Sequence, residues 1–296
     1  MSFVARLRHH HKRAFVFSAG GALGAFQVGQ IKAVVDAGII PDVLIGVSVG
    51  SLNASFMSDG VTSERAHLLG DLWKTGQIEG IMDESLFQRG LRVAKRASFL
   101  YNSDPLEKII SEICRRCDPD LGDIASANTE LHILACDLIT GSEYWFSNGS
   151  AKVAMLASST VPGVLKPVEH DGRLLIDGGV HTPLPINKAI ELGCDEVWAF
   201  SVPRLNQTGV EDLSALGVLV RSFTIARWAG SEPPRGSRAT IFELPTPSIP
   251  SSSPAAFKRV SEYMEKGEES ANIYIDTLRA LDSDKTGKRQ LIPRMG

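Results

Sequence analysis

Three scarcities set aside whole classes of function at the outset. The chain of 296 residues has four cysteines, no excess of positive charge (formal net charge -3) and no uninterrupted apolar run long enough to cross a bilayer. Nucleic-acid binders usually carry a basic surplus, so no nucleic-acid partner is expected. The apolar stretch Ala14–Phe26 is Gly-rich and too short to span a membrane, and Ile39–Met57 is broken by Pro41 and Asp42. The start of the chain is basic (Arg6, Arg8, His9, His10, His11, Lys12, Arg13) but lacks the apolar region and small-residue cleavage site of a secretory signal. Residues 1–13 therefore read as a solvated basic arm. Cys114 and Cys117 form a C-R-R-C spacing, half of what a structural zinc needs, and no second C-x-x-C or His cluster supplies the rest. Cys136 and Cys194 lie in apolar strand-like runs and read as small core residues. Reduced, structural cysteines fit a cytoplasmic protein, at most peripheral to a membrane.

What is present is an alternation of strand and helix. Ala14–Phe17 is a β-like run ending in a Gly-rich turn, followed by Ile31, Val34 and Val35 at helical spacing and by Gly38 as a stop. Val43–Ile45 is a second buried strand, followed by a Gly-bounded turn and the helix-like Leu52–Met57. This repetition predicts a parallel α/β sheet. Residues 60–128 are mostly helical in pattern, and Phe87–Tyr101 mixes basic and apolar residues in the manner of a lipid-contacting surface helix or an ordinary solvated one. Further strands are expected at Leu131–Cys136, Glu143–Phe146, Leu174–Ile176 and Glu196–Val202, a loop at Ser248–Pro254, and a last helix at Phe257–Leu281. With no linker suited to a boundary, residues 14–281 read as one α/β domain with a polar tail at 282–296.

Three constellations carry chemistry. Gly46-Val47-Ser48-Val49-Gly50 is a G-x-S-x-G between a strand and a helix, the setting in which a sharp turn pushes a serine out of the backbone. The helix behind it directs its positive end at the serine. Ser18-Ala19-Gly20-Gly21-Ala22-Leu23-Gly24 is a turn whose glycines let backbone N–H groups approach an anion. It lacks the Gly-Lys-Ser/Thr of a P-loop, and Ala19 breaks the dinucleotide pattern, so an oxyanion hole beside Ser48 is the better reading. Asp177-Gly178-Gly179 follows the strand Leu174–Ile176. A Ser-His-Asp triad would want a histidine base, yet of seven histidines only His181 falls near, four residues after Asp177 in the same loop. Asp177 must therefore be weighed as the direct base for Ser48; an ordinary carboxylate, with a pKa of about 3.9, is already ionised at neutral pH.

These blocks (FVFSAGGALGAFQVG, LIGVSVGSLNASF, LHILACDLITG, ASSTVPGVLKPV and LLIDGGVHTPLPINKAIELGCDEVWAFSV) resemble the patatin-like phospholipase family from about Ala14 to Val202. The resemblance implies a three-layer α/β/α fold with a mostly parallel central sheet. It also implies a Ser–Asp dyad: Ser48 as the nucleophile that forms an acyl-enzyme, Asp177 as the base that later activates water. The N–H groups around Gly20, Gly21 and Ala22 would hold the oxyanion, Gly46 and Gly50 would shape the nucleophile turn, and Gly178 and Gly179 would shape the acid loop. The implied substrate is a lipid or other acyl ester, with no metal and no cofactor. Two positions depart from the family: Ala19 where glycine is usual and Leu23 where a basic residue is usual, so a reshaped turn and a missing charge for phosphate are expected.

Other polar residues are assigned structural work: Asp137 a local turn, Asn53 a packing brace one turn into the elbow helix, His181 ordinary loop hydrogen bonds. Two rivals stay open at this point. One is a Ser-His-Asp esterase using His181 or His170; the other is a catalytically silent relative that binds lipid or protein.

Overall fold

A computed structural model describes residues 11–75, 102–117, 120–203, 225, 239–246 and 259–290, with side chains to 282 in the last stretch. The segments Phe87–Tyr101 and Ser248–Pro254 lie outside the described residues.

The strands are β1 (Arg13–Phe17), β2 (Val43–Val47), β3 (Glu130–Asp137), β4 (Glu143–Phe146), β5 (Val168–His170), β6 (Arg173–Asp177), β7 (Glu196–Phe200) and β8 (Thr240–Glu243). The helices are α1 (Gly24–Asp36), α2 (Val49–Met57), α3 (Ser63–Lys74), α4 (Asp104–Arg115), α5 (Ala151–Ser158), α6 (Ile186–Glu191) and α7 (Val260–Gln290). All strands join one sheet whose pairings run β5-β6-β3-β2-β1-β7-β8, with β4 also on β3. Pairs β3–β2, β2–β1, β1–β7 and β7–β8 are parallel. The pairs β3–β4, β3–β6 and β5–β6 are antiparallel. The sheet is thus mostly parallel with an antiparallel flank. Strands β1, β2 and β7 are buried at every residue, which is why they read as near-continuous apolar runs rather than as alternating ones.

Successive side chains still divide between two faces. Phe15, Phe17, Leu44, Leu131, Ile133, Trp198 and Phe200 pack into the large core with α1–α5 and α7. Ala14, Val16, Val43, Ile45, Val197 and Ala199 form a second core with Ile186 and Ala189 of α6. Helices therefore lie on both sides of a central sheet, as expected. The α1–α7 contact is backbone to backbone. A Cβ on Gly29 would stand 1.9 Å from the Met264 carbonyl oxygen, and one on Gly267 would stand 2.1 Å from that of Phe26.

Several boundaries shift by one to three residues from the sequence reading, and two of the differences have a physical content. Strand β1 begins at Arg13, and this last residue of the basic arm is buried in the sheet: Nε donates to Glu196 Oε1 at 2.6 Å and a terminal nitrogen donates to the Ile40 carbonyl at 2.8 Å. A buried guanidinium needs such partners, and these fix where the sheet starts. Helix α7 runs to Gln290, nine residues past the apolar periodicity that ended at Leu281.

Candidate active site

The site follows from how β3 shares its edges. Residues Ile133–Cys136 pair with β4. A strand has two edges, so the other edge is left for β2, which pairs up to Leu134, and for β6, which takes over from Ala135. Strands β2 and β6 therefore lie end to end along one edge of β3, running in opposite directions with their C-terminal ends facing. Val47 ends β2 opposite Leu134, and Asp177 ends β6 opposite Ala135. The next residue after β2 is Ser48. Its Oγ donates to Asp177 Oδ2 at 2.6 Å, although the two are 129 residues apart in sequence.

Ser48 has φ 56° and ψ -130°, a backbone conformation that L-residues avoid and that typically costs about 1–3 kcal/mol. The surroundings impose it. A Cβ on Gly46 would lie 2.5 Å from the Gly50 carbonyl oxygen, and one on Gly50 would lie 2.6 Å from that of Phe17 at the end of β1. The G-x-S-x-G spacing is thus a requirement for bare backbone on both sides of the turn. Ser51 closes the turn by donating its N–H (2.8 Å) and its hydroxyl (2.6 Å) to the Ser48 carbonyl. The Ser48 N–H donates to Ser158 Oγ at 2.8 Å, and the Ser158 hydroxyl donates in turn to the Leu134 carbonyl at 2.6 Å.

Asp177 is 4% exposed and Ser48 7%. The second carboxylate oxygen of Asp177, Oδ1, accepts the Gly179 N–H at 2.7 Å, and the Asp177 N–H donates to the Thr160 carbonyl at 2.8 Å. A Cβ on Gly178 would meet the Leu134 carbonyl oxygen at 2.4 Å, so the acid loop also depends on bare backbone. Negative charge gathers here: burial first, then Asp137, Asp177 and Glu143, push the Cys136 thiol above its ordinary range.

The glycine-rich turn lies against the elbow, where a Cβ on Gly24 would strike Val49 at 2.4 Å. The N–H groups of Gly20, Gly21 and Ala22, and that of Val49 at the N-terminus of α2, have no acceptor among the described residues. The positive φ of the turn falls on Gly21 (57°), and Ala19 does not share it. Ala19 instead packs with Val47, Leu134 and Trp145 and donates its N–H to the Pro183 carbonyl. Leu23 is buried in the main core. Behind the turn, Gln27 Nε2 donates to the Ser18 and Phe200 carbonyls at 2.8 and 3.0 Å. Its Oε1 accepts from Asn53 Nδ2, whose own Oδ1 accepts from Trp73 Nε1. Asn53 is a packing brace, as read from its position.

The histidines weighed as bases are engaged elsewhere. His181 contacts Thr182 Oγ1 at 2.8 Å and Glu143 Oε1 at 3.3 Å, and His170 contacts Asp171 Oδ2 at 3.4 Å. Asp137 serves a turn: its Oδ1 accepts from Ile139 and Thr140 N–H, and Arg173 donates to Oδ2. The Ile139 N–H foremost holds the Asp137 carboxyl below its usual range. Cys114 and Cys117 are buried, and burial pushes both thiols up to about 11, the opposite of a metal-binding or redox thiolate. Among the described residues, no cluster of three or more His, Cys, Asp or Glu is arranged to hold a metal ion. Sequence reasoning missed Ser158, Ser51, Thr160 and Gln27. Their only signal was position within the ASSTVPGVLKPV, LIGVSVGSLNASF and FVFSAGGALGAFQVG blocks.

The profile of the patatin-like phospholipase family matches residues 15–190. An uncharacterized NTE family protein of Mycobacterium tuberculosis is 29% identical over 189 residues, covering 64% of this chain and 48% of that protein. Patatin-like phospholipase domain-containing protein 7 of mouse is 23% identical over 70% of this chain and 15% of its own length. The chain thus spans about half, or less, of the length of these curated relatives. The crystal structure of VipD from Legionella pneumophila shows a distant likeness, with a TM-score of 0.42 and 12% identity over 91% of this chain and 67% of that one. The family profile covers more than half of the sequence, and the chain belongs to the patatin-like phospholipase family.

Proposed function

We propose that this chain is a serine acyl hydrolase acting on lipid esters through a Ser48–Asp177 dyad. The observation that carries the reading is the 2.6 Å hydrogen bond from Ser48 Oγ to Asp177 Oδ2, made by a serine held at positive φ at a helix N-terminus. Asp177 accepts the hydroxyl proton as Ser48 Oγ attacks the ester carbonyl carbon. The oxyanion of the tetrahedral intermediate meets the N–H groups of Gly20, Gly21 and Ala22, with that of Val49 as a further donor. Collapse of the intermediate breaks the bond to the leaving alcohol, which takes a proton from Asp177, and leaves an acyl-Ser48. Asp177 then takes a proton from water, the hydroxide attacks the acyl carbonyl, and Ser48 leaves with the proton restored. Losing one oxyanion donor typically costs about 2.7–4 kcal/mol of transition-state stabilisation, so the unengaged N–H groups are part of the machinery beside the dyad.

Substrates are esters with an aliphatic acyl chain: phospholipid, lysophospholipid or neutral lipid. Leu23, buried where the family resemblance implies a basic side chain, offers no charge to a phosphate and weights the reading toward ester hydrolysis as such. Encounter with lipid is peripheral. Leu138 and Ile139, 43% and 78% exposed in the turn that follows β3, sit beyond the same end of the sheet as the dyad. The test is hydrolysis of p-nitrophenyl esters of increasing chain length by wild type, Ser48→Ala and Asp177→Asn, each first shown to fold. Turnover by wild type that both substitutions abolish supports the dyad. Turnover that survives Ser48→Ala contradicts it.

A further inference from the structure

The C-terminal end of α5 touches both members of the dyad and belongs to neither of their loops. Ser158 Oγ accepts the Ser48 N–H at 2.8 Å, and two residues on the Thr160 carbonyl accepts the Asp177 N–H at 2.8 Å. Ser158 is fully buried, and its own proton goes to the Leu134 carbonyl at 2.6 Å, on the β3 residue that lies opposite Val47. That same Leu134 carbonyl is what a Cβ on Gly178 would strike, so one hydroxyl sits where the nucleophile turn, the acid loop and β3 converge. The helix behind it is anchored by the Ala151, Ala154, Met155 and Ala157 side chains in the main core. Thr160 Oγ1 ties the chain that leaves the helix back to the Leu156 carbonyl at 2.7 Å.

We propose that Ser158 is a positioning residue: its hydroxyl, clamped between Leu134 and the Ser48 N–H, holds Ser48 at positive φ so that Oγ stays within reach of Asp177. Three physical points support this. A serine at φ 56° relaxes toward negative φ unless its neighbours over-determine it. The Ser48 N–H is spoken for by Ser158, which leaves the oxyanion to the Gly20–Ala22 turn and to Val49. A hydroxyl can serve a donor and an acceptor at once, which alanine cannot do. The Ser158 hydroxyl bonds to the backbone of Ser48 and of Leu134, so it acts through Ser48. This inference rests on the dyad reading above for its kinetic consequence, but not for its structural one.

The test uses the full chain with Ser158→Ala and Ser158→Thr, the latter keeping the hydroxyl. With an activated ester, the burst amplitude counts working sites and the burst rate constant gives acylation per working site, so partial unfolding does not enter the rate. Misplacing a nucleophile by about 1 Å costs on the order of 100-fold, so Ser158→Ala is expected to acylate ~10- to 100-fold more slowly per titrated site, with KM within about twofold. Ser158→Thr should recover most of the loss. Acylation of Ser158→Ala at the wild-type rate, whatever its melting temperature, overturns the proposal. Wild-type protein that never acylates would instead sink the hydrolase reading. The positioning role is then decided by the crystal structure of Ser158→Ala: departure of Ser48 from positive φ, or loss of its hydrogen bond to Asp177, supports it, and an unchanged Ser48 overturns it.

Discussion

Ser48 and Asp177 are held by groups that act through the backbone, and this decides which substitutions should matter. Ser158, Ser51 and Thr160 bind main-chain N–H or C=O groups of the dyad residues, whereas His181 bonds to Thr182 and Glu143. His181→Ala is therefore expected to keep esterase activity within about threefold of wild type, a shift of the size that loss of a loop hydrogen bond produces. In the same assay a histidine base would give kcat/KM an acidic limb near pH 6.5 that its removal abolishes, so wild type and His181→Ala are expected to share one pH profile. A profile that changes with the substitution would bring His181 back into the chemistry. Gln27 makes a different demand. It is fully buried and its amide feeds the Ser18 and Phe200 carbonyls at the root of the glycine turn. Gln27→Leu keeps the volume but takes the side-chain donor from the Ser18 carbonyl and leaves the Phe200 carbonyl only the Ser18 N–H, at a cost of about 1–3 kcal/mol of stability, measurable as a lower urea midpoint.

Among the elements, legibility follows how local the determinants are. The G-x-S-x-G turn could be read because Gly46, Ser48 and Gly50 stand together within five residues, even though the backbone that Gly50 must clear is that of Phe17 in β1. The tight turn between β5 and β6 is local in the same sense, since Asp171 and Gly172 supply its two positive-φ positions. Strand β8, four residues with only Phe242 buried, gave no alternation to find. Apolar periodicity marks an end for α7 at Leu281, while the helical backbone continues to Gln290. The sharing of one β3 edge by β2 and β6, which brings Ser48 to Asp177, is non-local and left no mark on either segment alone; the pairing of those residues was weighed for want of a suitable histidine and implied by the family resemblance. The α1–α7 crossing was likewise silent in sequence, since Gly29 and Gly267 lie far apart along the chain. Alanine at either position drives a Cβ into opposing backbone. Gly29→Ala is expected to destabilise by about 1–3 kcal/mol or more, as overpacking at sites that cannot relax does, and to lower the melting temperature.

Across the whole molecule, four free and buried cysteines make the fold sensitive to alkali rather than to oxidation. Burial pushes the thiols of Cys114, Cys117 and Cys194 up to about 11. In the unfolded chain a thiol titrates near 8.5, so above that pH the unfolded state sheds protons that the folded state keeps. Stability contributed by these groups is complete below about pH 8.5 and is lost progressively as pH rises toward 11. Urea midpoints should fall between pH 8.5 and 10.5, and the fall should be shallower in a variant with alanine at the three positions. An unchanged slope would assign the alkaline sensitivity to other groups.

The central claim concerns one oxygen atom and the carboxylate beside it. Intact-mass analysis after exposure to a long-chain fluorophosphonate tests it most directly. A single adduct on Ser48 is expected, absent from Ser48→Ala, formed at least about 100-fold more slowly by Asp177→Asn, and formed at a near wild-type rate by His181→Ala. An adduct on another residue, or a Ser48 adduct that forms as fast without the Asp177 carboxylate, would contradict it.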